Sequence, residues 1–268
     1  MTAVDYRGQT TLVTGASAGI GTEFARKLAE RGSNLILVAR REERLESLAA
    51  ELISAHGINV HVLATDLARD NIGEVLATEI ARRGLRVTSV VNNAGFGTFG
   101  PLHTDQPERL RQEIAVNTTA VVDISRAFIG QLRDYGRGVL INVASMAAYQ
   151  PTPRMAVYGA TKAFVLSFTE ALWAESRGTG LRVLALSPGA TRTEFFDVVG
   201  TQDAAGGTAM QSPAEVVATA LAALDRRNPP PSVISGFRNR LMAAAARHLA
   251  TRRQHLAVID RMTAPNSA

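Results

Sequence analysis

The stretch Thr10-Thr11-Leu12-Val13-Thr14-Gly15-Ala16-Ser17-Ala18-Gly19-Ile20-Gly21 decides the fold. Its first half is a short apolar, β-branched run. Its second half is glycine-rich and leads into a helical pattern carrying Phe24, Leu28 and Ala29. A strand, a glycine turn and a helix in that order set free N–H groups and the positive end of a helix at the strand's C-terminal end, which suits a pyrophosphate. Glycines at 15, 19 and 21 permit positive φ and close approach of a ligand to the backbone. The spacing is GxxxGxG and not GxGxxG, so the turn by itself also fits a tight strand-to-helix connection.

Outward from this turn, strand-like runs alternate with helical patterns. Strands are predicted at Thr10–Thr14, Asn34–Ala39, Asn59–Ala64, Ser89–Asn92, Val139–Val143, Arg182–Ser187 and Ser232–Ser235. Helices are predicted at Gly19–Arg31, Glu42–His56, Asn71–Arg83, Glu108–Leu132, Ala156–Ser176 and Pro213–Arg226. This alternation predicts an α/β fold: a Rossmann-type, doubly wound, seven-stranded parallel sheet with helices on both faces. An eight-stranded barrel shares the alternation, but the glycine turn after the first strand argues for the open sheet. Thr191–Gln211 and the tail from Phe237 break the pattern, which marks both as candidate substrate-side elements.

Composition narrows the chemistry. The chain has 268 residues, 46% of them hydrophobic, and no Cys. Thiol nucleophiles, thiolate metal sites and disulfides are therefore excluded, and a reducing, cytoplasmic location is compatible. No signal-like segment or membrane-length apolar run is visible. His56, His61, His103, His248 and His255 show no metal-ligand spacing, so no catalytic metal is expected. The net charge is +5, and six arginines against one acid fall after residue 236. Without them 23 of the 29 basic and 23 of the 24 acidic residues remain, so the body is neutral and a nucleic-acid partner is not expected.

The end of the second strand reads Val38-Ala39-Arg40-Arg41. Dinucleotide sites read the adenosine ribose at this place. An acid would accept from a 2′-hydroxyl, whereas two guanidiniums suit a 2′-phosphate, so NADP(H) is expected over NAD(H). Further along, Tyr158-Gly-Ala-Thr-Lys162 sets a phenol and an ammonium four residues apart on one helical face. Lys27 and Lys162 are the only lysines in a chain that otherwise uses arginine. Reduction of a ketone by hydride leaves an alkoxide that needs a proton. A cation about 4 Å from a phenol, at an effective dielectric of about 20, is worth roughly 4 kcal/mol, enough to bring a tyrosine from about 10 toward 7. Ser145, directly after the strand Val139–Val143, is placed to hydrogen-bond the reacting oxygen.

With these residues in view the chain resembles the short-chain dehydrogenase/reductase family, in its NADP-preferring branch, from about Gln9 to Thr193. The resemblance rests on Thr14–Gly21, Asp66-Leu67, Asn92-Asn93-Ala94-Gly95, Asn117, Ser145, Tyr158 with Lys162, and Pro188-Gly189 followed by Thr191 and Thr193. It implies a catalytic set of Asn117, Ser145, Tyr158 and Lys162, with Asn117 holding a water that links Lys162 to solvent. It also implies cofactor contacts from Gly15, Ser17, Gly19, Ile20, Gly21, Arg40, Arg41, Asp66, Leu67, Asn93, Ala94, Gly95, Tyr158, Lys162, Pro188, Gly189, Thr191 and Thr193. Ala18, often basic in another NADP-preferring subgroup, is not basic here, so the phosphate would depend chiefly on Arg40, helped by Arg41 or Ser17. The expected activity is NADPH-dependent carbonyl reduction or alcohol oxidation on a small, lipophilic molecule. An NAD-linked dehydrogenase and a non-catalytic dinucleotide sensor stand as alternatives. Pairing of helices 108–132 and 156–176 between subunits would give a homodimer or homotetramer.

Residues 1–236 are expected to form one NADP-binding catalytic domain and 237–268 a basic amphipathic extension. In the extension Leu241, Met242, Ala245, His248 and Leu249 share one face, continued by Leu256, Ile259 and Met262, while Arg238, Arg240 and Arg247 lie largely away. Such a helix can dock on its own protein, bind acidic partners or touch a membrane surface; docking over the substrate side is the favoured reading. Phe195, Phe196, Val198, Val199 and Met210 are candidates for an apolar lid or for ordinary packing under a loop.

Overall fold

The computed structural model describes residues 3–201, 203–205, 207–248 and 251–263, with side chains except those of 246–248, 252, 255 and 262. Strands β1 (Thr10–Thr14), β2 (Asn34–Ala39), β3 (Val60–Ala64), β4 (Ser89–Asn92), β5 (Val139–Val143), β6 (Arg182–Ser187) and β7 (Ser232–Ile234) form one sheet in the order β3-β2-β1-β4-β5-β6-β7. All six neighbouring pairs are parallel. The chain reverses direction across the sheet between β1 and β4, which opens a crevice at their C-terminal ends.

The five inner strands are buried on both faces, the edge strands β3 and β7 only partly, and side chains alternate between two cores. Leu12, Ile36, Val38, Val90, Leu140 and Val183 face helices α3 (Ile72–Arg82) and α5 (Ala120–Tyr135). Val13, Leu35, Leu37, Val91, Ile141 and Leu184 face α1 (Gly19–Glu30), α2 (Glu42–His56) and α8 (Pro213–Leu224). The remaining helices are α4 (Pro107–Ile114), α6 (Ala156–Glu175), α7 (Phe195–Val199), α9 (Phe237–His248) and α10 (Arg252–Met262).

A buried polar chain fixes α6 against the sheet. Asn92 on β4 donates to Asn142 on β5 at 2.9 Å and to Ser125 on α5 at 3.2 Å. Asn142 in turn donates to Thr169 on α6 at 2.9 Å. Buried amides need such partners, so the chain favours one register of α6 over the sheet. That register sets the side chains near the start of α6.

The predicted boundaries hold to within two residues except at two places. The helix expected over Glu108–Leu132 is α4, a wider π-type turn at Ala115–Thr119, and then α5, which runs on to Tyr135. The extra residue in the turn brings Asn117 inward, where its amide bonds the main chain of Phe96 on both sides. The tail is two helices and not one continuous face. Thr251 accepts from the Gln254 N–H while the Gln254 side chain bonds back to Thr251, and this capping box starts α10 afresh. Of the tail residues assigned to faces, Leu249 lies outside the described residues, as do the side chains of Arg247, His248 and Met262.

Candidate active site

At the crevice beside β1 and β4 lies a cleft of about 880 Å³. Every candidate site residue from the sequence lines it except Gly21 and Asn117, which lie just behind its wall. The glycine turn forms one end. Gly15 and Gly19 both have positive φ, at 66° and 57°. A Cβ on Gly15 would lie 2.9 Å from the Ala94 Cα, and one on Gly19 would lie 2.7 Å from the Thr193 side chain. Gly21 packs tighter still, where a Cβ would meet the Gly15 carbonyl oxygen at 2.2 Å. Asn93 fastens this arrangement by donating to the carbonyls of Thr14 and Gly15 at 3.0 and 3.3 Å. The result is a glycine turn that leads into the uncapped start of α1, where a helix leaves its first N–H groups free to bind an anion such as a dinucleotide's phosphates. Arg40, Arg41 and Ser17 border that end, and Asp66 and Leu67 its flank. Arg40 has no ion pair among the described residues. Arg41 donates to the Ser17 hydroxyl at 3.1 Å.

The other end is built on β5, α6 and the π-type turn. Ser145, extended at φ −168°, follows β5 and its hydroxyl accepts from the Ala147 N–H at 3.1 Å. Tyr158 and Lys162 sit one turn apart on α6; Lys162 is buried, with 4% exposure, and Tyr158 is half-buried. The Ser145 hydroxyl hydrogen-bonds the Tyr158 phenol and favours its ionised form, but burial outweighs this and pushes the phenol up to about 12. Lys162 is lowered to about 8 by burial. Its ammonium donates to the Val143 carbonyl at 2.9 Å and lies 5.8 Å from the Tyr158 ring centre. The expected depression of the phenol toward 7 is therefore not what the protein alone produces. Desolvation of both groups exceeds the attraction expected from a close cation.

Asn117 is fully buried and its amide is committed: it accepts from the Phe96 N–H at 3.1 Å and donates to the Phe96 carbonyl and to Thr161. It thereby holds Gly95 and Phe96 against α6, where a Cβ on Gly95 would stand 3.1 Å from the Lys162 ammonium. Pro188, Gly189, Thr191 and Thr193 after β6 close the cleft from the far side. Phe195, Phe196 and Val198 also line it, whereas Val199 and Met210 do not; the Phe195 ring packs 5.3 Å from that of Tyr158.

Three residues stand at the site without having been singled out in the sequence. Arg154 adopts positive φ, 63°, and its guanidinium holds α10 through Asp260 and Thr263. Glu194 meets arginines of α2 at the mouth of the cleft. Glu113 on α4 is wholly buried, one turn before Asn117, with Thr98 donating to one oxygen at 2.9 Å and no described partner on the other. Its spacing from Asn117 was the one available cue. Burial raises it to about 7, and Asp105, Arg109, Lys162 and Tyr158 are the charged or titratable groups that bear on it. Because the folded state keeps this proton longer than the unfolded chain, stability is expected to fall as pH rises from about 4.5 to about 7. Urea unfolding of Glu113→Gln should lack this fall, and a pH dependence equal to that of the wild type would refute it.

Tail residues Met242, Ala245, Val258 and Ile259 line the cleft beside Met155 and Phe96. Among the described residues no helix is long and apolar enough to cross a membrane, and no cluster of His, Asp and Glu could hold a metal ion.

A family model for short chain dehydrogenase matches residues 9–204. Sulfoacetaldehyde reductase of Chromohalobacter salexigens is 37% identical over 186 residues, covering 68% of this chain and 72% of the relative. Among solved structures, a 7beta-hydroxysteroid dehydrogenase superposes with a TM-score of 0.84 at 28% identity, covering 97% and 99% of the two chains. A short-chain dehydrogenase from Sphingobium yanoikuyae in complex with NADPH gives 0.78 at 32% identity, covering 93% and 94%.

Proposed function

The chain belongs to the short chain dehydrogenase family, an oxidoreductase family, and we propose that it is an NADP(H)-dependent carbonyl reductase acting on lipophilic ketones. The observation that carries this reading is the convergence of Ser145, Tyr158 and Lys162 at one end of a cleft whose other end is the glycine cradle. The nicotinamide, when bound, supplies or accepts the hydride. Gly15, Ser17, Gly19 and Ile20 would hold the pyrophosphate, Asp66 and Leu67 the adenine, Arg40 and Arg41 the 2′-phosphate, and Thr191 and Thr193 the nicotinamide end. The NADPH complex of the Sphingobium relative supports the choice of cofactor.

Ser145 donates a hydrogen bond to the substrate oxygen and so stabilises the charge that develops there. Tyr158 gives its phenolic proton to that oxygen as the alcohol forms. A phenol pushed up to about 12 is fully protonated at neutral pH, which suits a donor in the reduction direction. Lys162 keeps a cation beneath the phenol and stabilises the phenolate left behind. Asn117 positions Gly95 and Phe96 beside Lys162. Exposed Ile114 and Phe164, the latter stacked on Phe168, support pairing of two copies through α4 and α6.

The apolar substrate end, covered by α9 and α10, supports a bulky lipophilic ketone, and the hydroxysteroid dehydrogenase neighbour is consistent with this. Residues 1–236 then act as the catalytic domain and 237–268 as its cover. Arg154→Gly keeps the left-handed backbone while removing the clasp on α10. Losing the cover of Val258 and Ile259, worth about 2 kcal/mol, should raise KM for long-chain ketones more than tenfold. KM for short ketones should stay within about twofold. Equal shifts for both would refute the lipophilic reading.

A further inference from the structure

Glu194 stands directly after Thr193 and immediately before α7, yet its carboxylate reaches across the mouth of the cleft to α2. One oxygen takes the Arg41 guanidinium at 2.7 Å, and the other takes the Arg44 guanidinium. Arg41 is at the same time held by the Ser17 hydroxyl in the glycine turn, at 3.2 and 3.1 Å from its Nε and Nη2. An acid from the far wall thus neutralises Arg41, which borders the adenosine end, and is itself anchored by Arg44 behind it. Its carboxyl is held below the usual carboxylate range by Arg44 and Arg41, so it is ionised at neutral pH.

We propose that Glu194 is a specificity-determining residue: an internal counter-ion that competes with the 2′-phosphate of the cofactor for Arg41. The inference rests on the NADP(H) reading above. A ribose 2′-phosphate and a carboxylate can each offer two oxygens to the planar guanidinium fork, so they claim the same donors. NADPH must displace Glu194 from Arg41 or share that guanidinium, whereas NADH, with only a hydroxyl there, leaves the pair intact. Glu194 is about two-fifths exposed and joins no core, so its amide variant should fold as the wild type does.

Binding is measured by calorimetry on the full-length wild type, Glu194→Gln and Arg41→Ala, with NADPH, NADH and adenosine 2′,5′-bisphosphate as titrants. Glu194→Gln should bind NADPH and the bisphosphate about fivefold more tightly, the scale of one exposed ion pair, and NADH unchanged. Arg41→Ala should weaken NADPH and the bisphosphate selectively. If Arg41→Ala is selective but Glu194→Gln binds NADPH equally or more weakly, the counter-ion proposal fails and the NADP(H) reading stands. If the wild type does not prefer NADPH over NADH and Arg41→Ala affects both alike, both fall.

Discussion

Tyr158→Phe is expected to lower ketone reduction by about 10³-fold while leaving the dinucleotide dissociation constant within about twofold. The substitution removes one oxygen and keeps the ring, so the packing against Phe195 at 5.3 Å and against Gly97 is retained. What is lost is the proton donor that Ser145 orients, and proton donation is the step Ser145 and Lys162 cannot take over. A serine hydroxyl is too weak an acid, and the Lys162 ammonium is turned to the Val143 carbonyl. Because Lys162 is lowered to about 8, the wild-type rate should also decline as pH rises past that value and the stabilising cation is lost. In Tyr158→Phe the residual rate should be flat through the same range. Steady-state kinetics over pH 6 to 10, paired with calorimetric NADPH titration, reads both effects. A variant that kept a tenth or more of the wild-type rate would remove Tyr158 from the acid's role.

The sheet was legible because its signal is local. The inner strands are buried on two faces, so continuous apolar runs such as Val139–Val143 stand out with no tertiary information. Ser145, Tyr158 and Lys162 were legible for a related reason: two lie one helical turn apart, and the third sits at a strand end, where parallel sheets expose ligand sites. The residues missed act over long separations. Glu194 is 153 residues from Arg41 and Arg154 is 106 from Asp260, and no periodicity links such pairs. The phenol's acidity was misjudged because a Coulomb estimate between two charges omits desolvation, and desolvation is set by elements that cover the pair from elsewhere in the chain. The break in the 108–132 helix was invisible for the same reason, since Asn117 bonds the main chain of Phe96, twenty-one residues away.

The cofactor turn admits a test as severe as that of the phenol, because its glycines are required by contact and not only by dihedral angle. Gly21→Ala places a methyl 2.2 Å from the Gly15 carbonyl oxygen and 2.6 Å from the Asn93 amide nitrogen. Neither neighbour can yield alone. Asn93 is fastened to Thr14 and Gly15, its own N–H is held by the Thr14 hydroxyl at 3.0 Å, and Gly15 is so close to Ala94 that a Cβ on it would lie 2.9 Å from the Ala94 Cα. Relief requires the start of α1 to move away from the end of β1, and that motion takes the free N–H groups with it. Overpacking of this kind costs about 3 kcal/mol, which in a chain of this size lowers Tm by roughly 6 to 12 °C. The same displacement should weaken NADPH about a hundredfold. Gly57→Ala is the contrasting control: φ is 64° there, whereas Gly21 lies in the ordinary backbone of α1, and a Cβ at position 57 would meet nothing within 4 Å, at the end of α2. It should cost about 1 kcal/mol through the left-handed backbone alone and leave NADPH affinity unchanged. If both variants lost the same stability and neither lost affinity, close contact would not be what shapes the phosphate cradle at position 21. A selective loss of affinity at Gly21 identifies close approach between the turn and its neighbours as what holds the phosphate cradle in shape.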